Sequence, residues 1–335
     1  MSDLSISVIM PAYNAAHLMP RVLPPLIEML AAGEIDELLV VDDQSTDDTV
    51  AVAKGFGANV IVTPANGGPG VARNLASKQA VGDILWFVDS DVIAHPGGPA
   101  LIRQAFADDK VGAAFGSYDD APEGSWFSRY KNLLHRFHHQ NAGGEASTFW
   151  AGCGAIRAST FAAVGGFDVE TYRVPSIEDI ELGYRIKAAG GAIKVIPEWQ
   201  GKHLKRWTMR NAIFTDIFRR ALPWSRLMIS REGLTNELNA GTAERIRALI
   251  AGLFFISLLG LLFGVTGVIG VVATFALAVV ANFSLARFFL QTGGPGLAFG
   301  AMVYHQLYYI YSAASYVWCL FEFHVLGIKN RLHVP

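Results

Sequence analysis

Two carboxylates on alternate residues, Asp89 and Asp91, follow a run of large apolar residues in this chain of 335 residues. The run, residues 84–88, is Ile-Leu-Trp-Phe-Val, which is the composition of a buried strand. Two such charges repel each other unless a cation or hydrogen-bond donors lie between them. A hard divalent ion that bridges a diphosphate meets that need, so the pair indicates a phosphate-bearing ligand.

Acidic and glycine-rich segments follow other predicted strands. Asp42 and Asp43 come directly after residues 37–41, although an acidic pair alone is common in turns. Residues 68–73 have the pattern G-x-G-x-x-R and begin a predicted helix, but Arg73 stands where a dinucleotide-binding loop needs its third glycine. The pattern therefore disfavours dinucleotide binding, whereas a planar guanidinium near a helix N-terminus suits a diphosphate.

Alternating strands and helices must position these residues. The hydrophobic pattern predicts strands at Ser5–Met10, Glu37–Val41, Asn59–Val62, Ile84–Val88 and Gly112–Phe115. It predicts helices at Ala15–Ala32, Asp47–Gly55, Gly70–Ala80 and Pro99–Ala107. This alternation indicates βαβ units and a parallel sheet, whose ligands bind at the carboxyl ends of the strands.

The composition excludes several classes of protein. Hydrophobic residues make up 52% of the chain and charged residues 17%, whereas a soluble domain carries about 25% charged residues. The chain is therefore too apolar to be wholly water-soluble. The net charge of −2 argues against a nucleic-acid partner, and two cysteines exclude a disulfide scaffold. No N-terminal signal peptide is recognisable, so we expect the first two hundred residues in the cytosol.

The apolar residues concentrate near the C-terminus. No Asp, Glu, Lys or Arg occurs from Ala248 to Ala286 or from Phe288 to Phe321. These lengths predict two to three membrane helices, at approximately 248–265, 268–286 and 298–321. Arginines before the first helix place that flank in the cytosol. Full crossing by the third segment stays open, because it would put Lys329 and Arg331 outside the cell.

Five motifs, in order, resemble those of family 2 glycosyltransferases of the GT-A fold. They are SVIMPAYN at 7–14, VVDDQSTDDT at 40–49, GVARN at 70–74, FVDSD at 87–91 and SIEDIELGYR at 176–185. The resemblance covers residues 5–207 and implies an α/β catalytic domain with a Rossmann-like, mostly parallel sheet. The C-terminal part resembles the α-helical membrane region of members that act on lipid-linked acceptors. The implied domains are 1–206 for catalysis, 207–246 for amphipathic juxtamembrane helices, 247–326 for the membrane region and 327–335 for a tail.

The resemblance also implies a role for individual residues. It implies a base or ribose site at Pro11, Ala12, Tyr13 and either Asp42 or Asp43, with Arg73 near the base or diphosphate. It implies that Asp89, Asp91 and His203 bind Mn²⁺ or Mg²⁺, that Asp89 also faces the ribose, and that Arg206 and Trp207 cover the diphosphate. Asp179 is implied as the general base, with Trp150, Gly152 and Glu178 on the acceptor side. His203 stands where processive polysaccharide synthases carry Gln, which argues against processivity.

These observations predict an inverting, metal-dependent transferase in a multi-pass membrane protein. Its donor is a nucleotide diphosphate sugar, expected to be a UDP-sugar, and its acceptor is a hydroxyl of a membrane lipid or lipid-linked molecule. Three alternatives stay open: a polyprenyl-phosphate sugar synthase, a processive polysaccharide synthase and a non-catalytic membrane protein that binds nucleotide sugar.

Overall fold

The computed structural model describes residues 4–142, 144–230 and 241–328. Residues 329–335 of the predicted tail at 327–335 and residues 231–240 of the predicted juxtamembrane segment at 207–246 lie outside the described residues. The chain divides into two compact units. We call residues 4–123 and 132–206 the sheet unit, and residues 124–131 and 207–328 the helical unit.

One mixed sheet organises the sheet unit. Its strands are β1 Ile6–Ala12, β2 Glu37–Asp42, β3 Asn59–Val62, β4 Ile84–Val88, β5 Val92–Ala94, β6 Val111–Tyr118, β7 Gly144–Ala146, β8 Cys153–Arg157 and β9 Ala192–His203. They lie in the order β3-β2-β1-β4-β8-β6-β9-β5, and β7 also pairs with β9. The five strands predicted from the sequence are confirmed, and the ends of the β3 and β4 strands agree to the residue.

Helices follow most of the strands and cover both faces of the sheet. They are α1 Met19–Ala31, α2 Thr49–Gly55, α3 Gly68–Ser77, α4 Gly98–Phe106, α5 Trp126–Asn141, α6 Ala158–Ala163 and α7 Glu178–Ala188. Successive side chains of β4 lie in the hydrophobic cores on opposite faces of the sheet. Trp86 shares one core with Ile102, and Phe87 shares the other with Phe161. Burial on both faces explains why β4 has no polar residue.

The sheet is mixed because its second half reverses direction. β1, β2, β3 and β4 are mutually parallel, as the βαβ pattern predicts. β8 then runs antiparallel to both β4 and β6, while β6 is parallel to β9. The sequence pattern misses β8 and β9, since β8 is a short Gly- and Ala-containing segment and β9 is interrupted by Pro197.

The helical unit consists of α8 Met209–Phe214, a π-helical turn Thr215–Ala221, α9 Leu222–Ser230, α10 Thr242–Leu258 with a 3₁₀ extension Leu259–Phe263, α11 Val265–Ala281 and α12 Phe283–His324. The turn predicted near residue 264 is confirmed, because Gly264 has φ 70° between α10 and α11. Gly294, with φ 76° and ψ 177°, breaks α12 in the glycine-rich loop that the sequence indicates.

The number of membrane helices differs from the prediction of two to three. Within the described residues, Thr242–Phe263 is long and apolar enough to cross a membrane, with a mean hydropathy of 2.3. α11 and α12 meet the same test as a pair that bends by 84°, so the structure holds one such helix or up to two. The predicted second helix at 268–286 ends early because α11 stops at Ala281, before Asn282. The predicted third helix, 298–321, lies in α12, which continues to residues with polar side chains such as Glu322.

A close approach of two strands gives a test of the fold. A Cβ atom added to Gly116 would lie 2.0 Å from the carbonyl oxygen of Trp199, at an irregular step between β6 and β9. We expect Gly116→Ala to lower the free energy of unfolding by about 1–3 kcal/mol, because backbone atoms must move apart. Gly55→Ala is the matched control, since nothing lies within 4 Å of its added Cβ. Thermal unfolding of the detergent-purified chain checks both, and equal midpoints would contradict the assignment.

Candidate functional site

The strands bring the predicted site residues to one edge of the sheet. β1, β2 and β4 are parallel, so their carboxyl ends lie together. Val88 at the end of β4 faces Cys153 at the start of β8, and Tyr118 at the end of β6 faces Gly201 near the end of β9. The ends of β1, β2, β4, β6 and β9, together with the segment before β8, therefore form a single rim. We call this the carboxyl rim.

Asp42 and Asp43 have different surroundings on this rim, although both are buried. Asp43 accepts hydrogen bonds from the Thr63 hydroxyl at 2.9 Å and from the backbone N–H groups of Gly67 and Gly68 at 3.0 and 2.7 Å. Asp42 accepts one from Ser45 N–H at 3.1 Å through Oδ2, while its Oδ1 is buried without a partner among the described residues. Asp43 thus holds the loop before α3, and Asp42 keeps an acceptor atom for a ligand.

In the first predicted motif, Pro11 and Ala12 are buried, whereas the ring of Tyr13 is exposed. Pro11 and Ala12 are buried residues of β1, so their side chains face the core. Tyr13, directly after them, is 53% exposed. Of these three residues, Tyr13 is the one whose side chain can stack on a base.

Arg73 and Asp89 form an ion pair with each other. The Arg73 guanidinium donates a hydrogen bond to Asp89 Oδ1 and lies 5.3 Å from the ring centroid of Phe167. Desolvation, with the nearby charge of Asp91, raises the pKa of Asp89, and Arg73 only partly opposes that rise. Arg73 is 3% exposed. One of its N–H groups is engaged by Asp89, and its predicted contact with base or diphosphate stays a prediction.

Asp91 faces His203, as the resemblance predicts. The distance from Asp91 Oδ2 to His203 Nε2 is 3.5 Å. Burial would raise the pKa of Asp91, but the positive charge that His203 carries when protonated, with its hydrogen bond, holds that pKa below its ordinary value. Two metal–ligand bonds of about 2.1 Å each can span this distance, and carboxylate with imidazole is a donor set that Mn²⁺ accepts.

Asp89, the third predicted metal ligand, is paired with Arg73 through its Oδ1. Within the described parts of the chain, no group of three or more His, Cys, Asp or Glu side chains is already arranged to hold a metal. The metal-binding role of Asp89 stays a prediction. The Asp91 and His203 side chains fit a divalent cation whose remaining ligands come from a phosphate group and water.

Asp179 lies at the start of α7, next to the segment that precedes β8. Its Oδ2 accepts a hydrogen bond from Ala151 N–H at 3.3 Å, and its Oδ1 accepts one from Ile180 N–H at 2.8 Å. Backbone donors thus orient this carboxylate at the carboxyl rim. Trp150 packs across Gly152, where an added Cβ would lie 2.9 Å from the indole ring. The predicted acceptor-side residues Trp150 and Gly152 are therefore neighbours of Asp179 in space.

Glu178 is buried beside Asp179, and its Oε2 accepts a hydrogen bond from Ser176 N–H at 2.7 Å. Burial, reinforced by the charge of Asp179, raises the pKa of Glu178 to about 7, although Arg73 opposes the rise. Glu178 is 8% exposed. The acceptor-side role predicted for it therefore falls on a carboxyl group that is almost entirely buried.

The last predicted pair, Arg206 and Trp207, is divided between the two units. Arg206 is exposed at the end of the sheet unit. Trp207 is 2% exposed, and its backbone N–H donates to the Ser128 hydroxyl at 2.8 Å within the helical unit. The role of Arg206 and Trp207 as a cover for the diphosphate stays a prediction.

Two residues of the site were not predicted. Asn132 of α5 contacts the His203 ring, and Tyr118 at the end of β6 stacks on it with centroids 4.3 Å apart. The sequence contains a signal for Tyr118, because it lies in the polar segment 117–120 that follows a predicted apolar strand, as the other site residues do. Asn132 lies within a helix and belongs to none of the five motifs.

Comparison with known proteins gives a family match for the first half of the chain. Residues 7–165 match the family model described as "Glycosyl transferase family 2". A poly(ribitol-phosphate) beta-glucosyltransferase of Bacillus spizizenii is 37% identical over 106 residues, 30% of this chain and 16% of that protein. Glucosyl-3-phosphoglycerate synthase of Mycobacterium tuberculosis is 40% identical over 102 residues, 28% of this chain and 31% of that protein. The chain thus spans between about a sixth and a third of these two relatives.

A solved structure has a similar fold over most of the chain. It is a mannosyltransferase from Pyrobaculum calidifontis in complex with GDP-Man and Mn²⁺, with a TM-score of 0.57 and 18% identity. The similarity covers 94% of this chain and 87% of that one, and at this identity it shows the fold alone. The fold is that of the GT-A glycosyltransferases. The family match ends at residue 165, before Asp179 and His203.

The buried Glu178 makes stability depend on pH. Its pKa of about 7 exceeds the ordinary 4.5, so between these values the native state holds a proton that the unfolded chain releases. Stability therefore falls as pH rises through this window, by about 3 kcal/mol at most. We expect Glu178→Gln, which stays neutral, to unfold at a higher temperature than wild type at pH 8 and at a similar temperature near pH 4.

The measurement is thermal unfolding against pH without nucleotide or metal. Glu170→Gln is the matched control, because the Glu170 side chain is 88% exposed. A stability difference for Glu178→Gln that does not change with pH would contradict the assigned pKa.

Proposed function

Because residues 7–165 form a glycosyl transferase family 2 domain, we propose that this chain is an inverting glycosyltransferase. It moves a sugar from a nucleotide diphosphate sugar, expected to be a UDP-sugar, to a hydroxyl of a membrane lipid or lipid-linked acceptor. One observation carries the proposal: the buried acceptor atom of Asp42 that has no partner among the described residues, the Asp91–His203 pair and the oriented carboxylate of Asp179 all lie on the carboxyl rim. These groups suit the base, the diphosphate and the acceptor hydroxyl of one reaction.

The nucleotide base binds between Tyr13 and Asp42. A buried acceptor without a partner costs roughly 1–3 kcal/mol, and a base N–H that donates to Asp42 Oδ1 removes this cost. Uracil offers such an N–H group. Tyr13, which is 53% exposed, is available to stack on the ring. Asp42 is preferred to Asp43 for this role, because the Asp43 oxygens already accept three hydrogen bonds from the protein.

Asp91 and His203 would hold the divalent cation, and the imidazole ligand favours Mn²⁺ over Mg²⁺. When bound, the cation neutralises the charge that develops on the leaving diphosphate. The exposed guanidinium of Arg206 lies three residues beyond His203 and suits a phosphate oxygen. The GDP-Man and Mn²⁺ in the similar mannosyltransferase support this pairing of cation and nucleotide sugar.

Asp179 acts as the general base. The acceptor oxygen forms a bond to the anomeric carbon as the bond from that carbon to the diphosphate oxygen breaks, and the hydroxyl proton passes to Asp179. A single displacement inverts the anomeric carbon. The hydrogen bonds from Ala151 and Ile180 orient the carboxylate without adding a positive charge that would weaken it as a base.

The helical unit supports a membrane-bound acceptor. The helix Thr242–Phe263 exposes apolar side chains such as Leu249, Ile256 and Leu262, which are 75%, 65% and 86% exposed. Arg245 and Arg247 at its start favour a cytosolic sheet unit. The names of the two relatives give phosphorylated acceptors, so a phosphate-bearing lipid-linked molecule with a free hydroxyl is the acceptor class we favour.

The general base is tested by Asp179→Asn. Because general-base catalysis contributes about 10²–10⁴-fold, kcat should fall by that factor while the donor KM changes little. The measurement is transfer of radiolabelled sugar from a panel of UDP-sugars into a membrane-lipid extract, followed against pH. If the acceptor is instead a polyprenyl phosphate, whose oxygen is already charged, the loss is below about tenfold and independent of pH.

Asp109→Asn is the control for this experiment. The Asp109 side chain is fully exposed in the loop before β6, at the end of that strand remote from the carboxyl rim. Its removal should leave transfer unchanged, and a comparable loss in both variants would refute the role of Asp179.

Membrane insertion of the helix Thr242–Phe263 is tested by placing a charge at its middle. We expect the wild-type chain to stay in membranes after alkaline carbonate washing. Leu253→Arg should release a measurable fraction, since a central arginine costs about 2.5–3.5 kcal/mol on insertion scales. Val62→Arg, at a 50% exposed position of the sheet unit, should not change the partition. Extraction of the wild-type chain by carbonate would show that the helix does not span the membrane.

A further inference from the structure

A carboxamide holds the ring of His203 from the side opposite to Asp91. Asn132 Oδ1 lies 2.7 Å from His203 Nδ1, and Asn132 Nδ2 donates to the His203 carbonyl oxygen at 3.3 Å. Both residues are buried, at 2% and 7% exposure. The second contact fixes the direction of the amide, because only its NH₂ group can donate to a carbonyl.

This direction determines the tautomer of the imidazole. Since the amide oxygen of Asn132 faces Nδ1, that nitrogen must carry a proton to make the 2.7 Å hydrogen bond. In a neutral ring the lone pair is then on Nε2, the atom 3.5 Å from Asp91 Oδ2. The opposite tautomer would leave two acceptors, Oδ1 and Nδ1, facing each other in a buried site.

The plane of the ring is fixed as well. Tyr118 stacks on His203 with centroids 4.3 Å apart and planes inclined by 8°. Tyr118 in turn stacks with His135 at 6.0 Å and meets Trp150 edge to face at 4.7 Å. Asn132 and His135 are three residues apart and lie on one face of α5. One helical face therefore sets both the rotation of the imidazole and its tautomer.

We propose that Asn132 is a positioning residue for the divalent cation: it keeps the proton of His203 on Nδ1 and directs Nε2 towards Asp91. The inference rests on the proposed function, since it needs a cation at Asp91 and His203. Hydrogen bonds to the second nitrogen of a metal-binding histidine commonly change metal affinity by 10–100-fold. Asn132 itself does not touch the cation or the substrates.

The test measures Mn²⁺ affinity of the full chain in detergent, without nucleotide, from the electron paramagnetic resonance signal of free Mn²⁺. Asn132→Leu removes the acceptor at similar volume and should weaken binding about 10–100-fold. Asn132→Asp keeps an acceptor for Nδ1–H but loses the NH₂ group, and should bind within about threefold of wild type. Asn141→Leu, the same change at an exposed position of α5, should have no effect.

Two outcomes overturn the inference. Wild-type affinity in Asn132→Leu shows that the hydrogen bond does not matter for the cation. Equal weakening in both Asn132 variants shows that the donor to the His203 carbonyl, and so the local backbone, is what matters. His203→Ala separates these results from the proposed cation site, because wild-type affinity in that variant removes the site and the inference together.

A measurement on the wild-type chain covers the case in which Asn132→Leu fails to fold. Histidine ¹⁵N chemical shifts distinguish a protonated ring nitrogen from an unprotonated one, and comparison with His203→Gln assigns the signals. We expect His203 to carry a proton on Nδ1, the nitrogen that faces the Asn132 oxygen. An unprotonated Nδ1 would refute the proposed tautomer.

Discussion

Crowding of negative charge at one rim of the sheet is the constraint on which this site depends. Asp42, Asp89, Asp91, Glu178 and Asp179 are carried there by the ends of parallel strands and by the start of α7. Buried carboxylates are costly unless each is paired, hydrogen-bonded or protonated. The five carboxylates are stabilised in four ways: Arg73 pairs with Asp89, His203 faces Asp91, backbone N–H groups donate to Asp42 and Asp179, and burial raises the pKa of Glu178 to about 7.

Much of this arrangement could be predicted from the sequence, since it follows from local patterns. Residues 84–88 are apolar throughout and are followed by two aspartates, which defines both β4 and the residues that it presents. Parallel pairing then places the ends of β1, β2 and β4 together without further information. His203 was predicted through the family resemblance, because β9, which carries it, has no clear strand pattern.

The remaining features depend on contacts between distant segments, which single-sequence patterns do not encode. The ion pair between Arg73 of α3 and Asp89 after β4 joins two elements that are 16 residues apart in the chain, and no sequence motif predicts it. Trp207 follows Arg206 in the chain but packs with Ser128, 79 residues away. Long uncharged stretches predict membrane helices from composition alone, whereas Asn282 and Gly294 decide where the helices end or bend.

The same charge crowding determines how donor and cation bind. A nucleotide diphosphate brings further negative charge to a rim that already carries Asp42, Asp91 and Asp179, so its approach is opposed unless positive charge arrives with it. In the function proposed above, a divalent cation held by Asp91 and His203 would supply that charge. Each ligand would then raise the affinity for the other by the same factor, as reciprocity of binding free energies requires. A neutral imidazole ligand would differ from a further carboxylate in this respect, because it would bind the cation without adding repulsion towards the diphosphate.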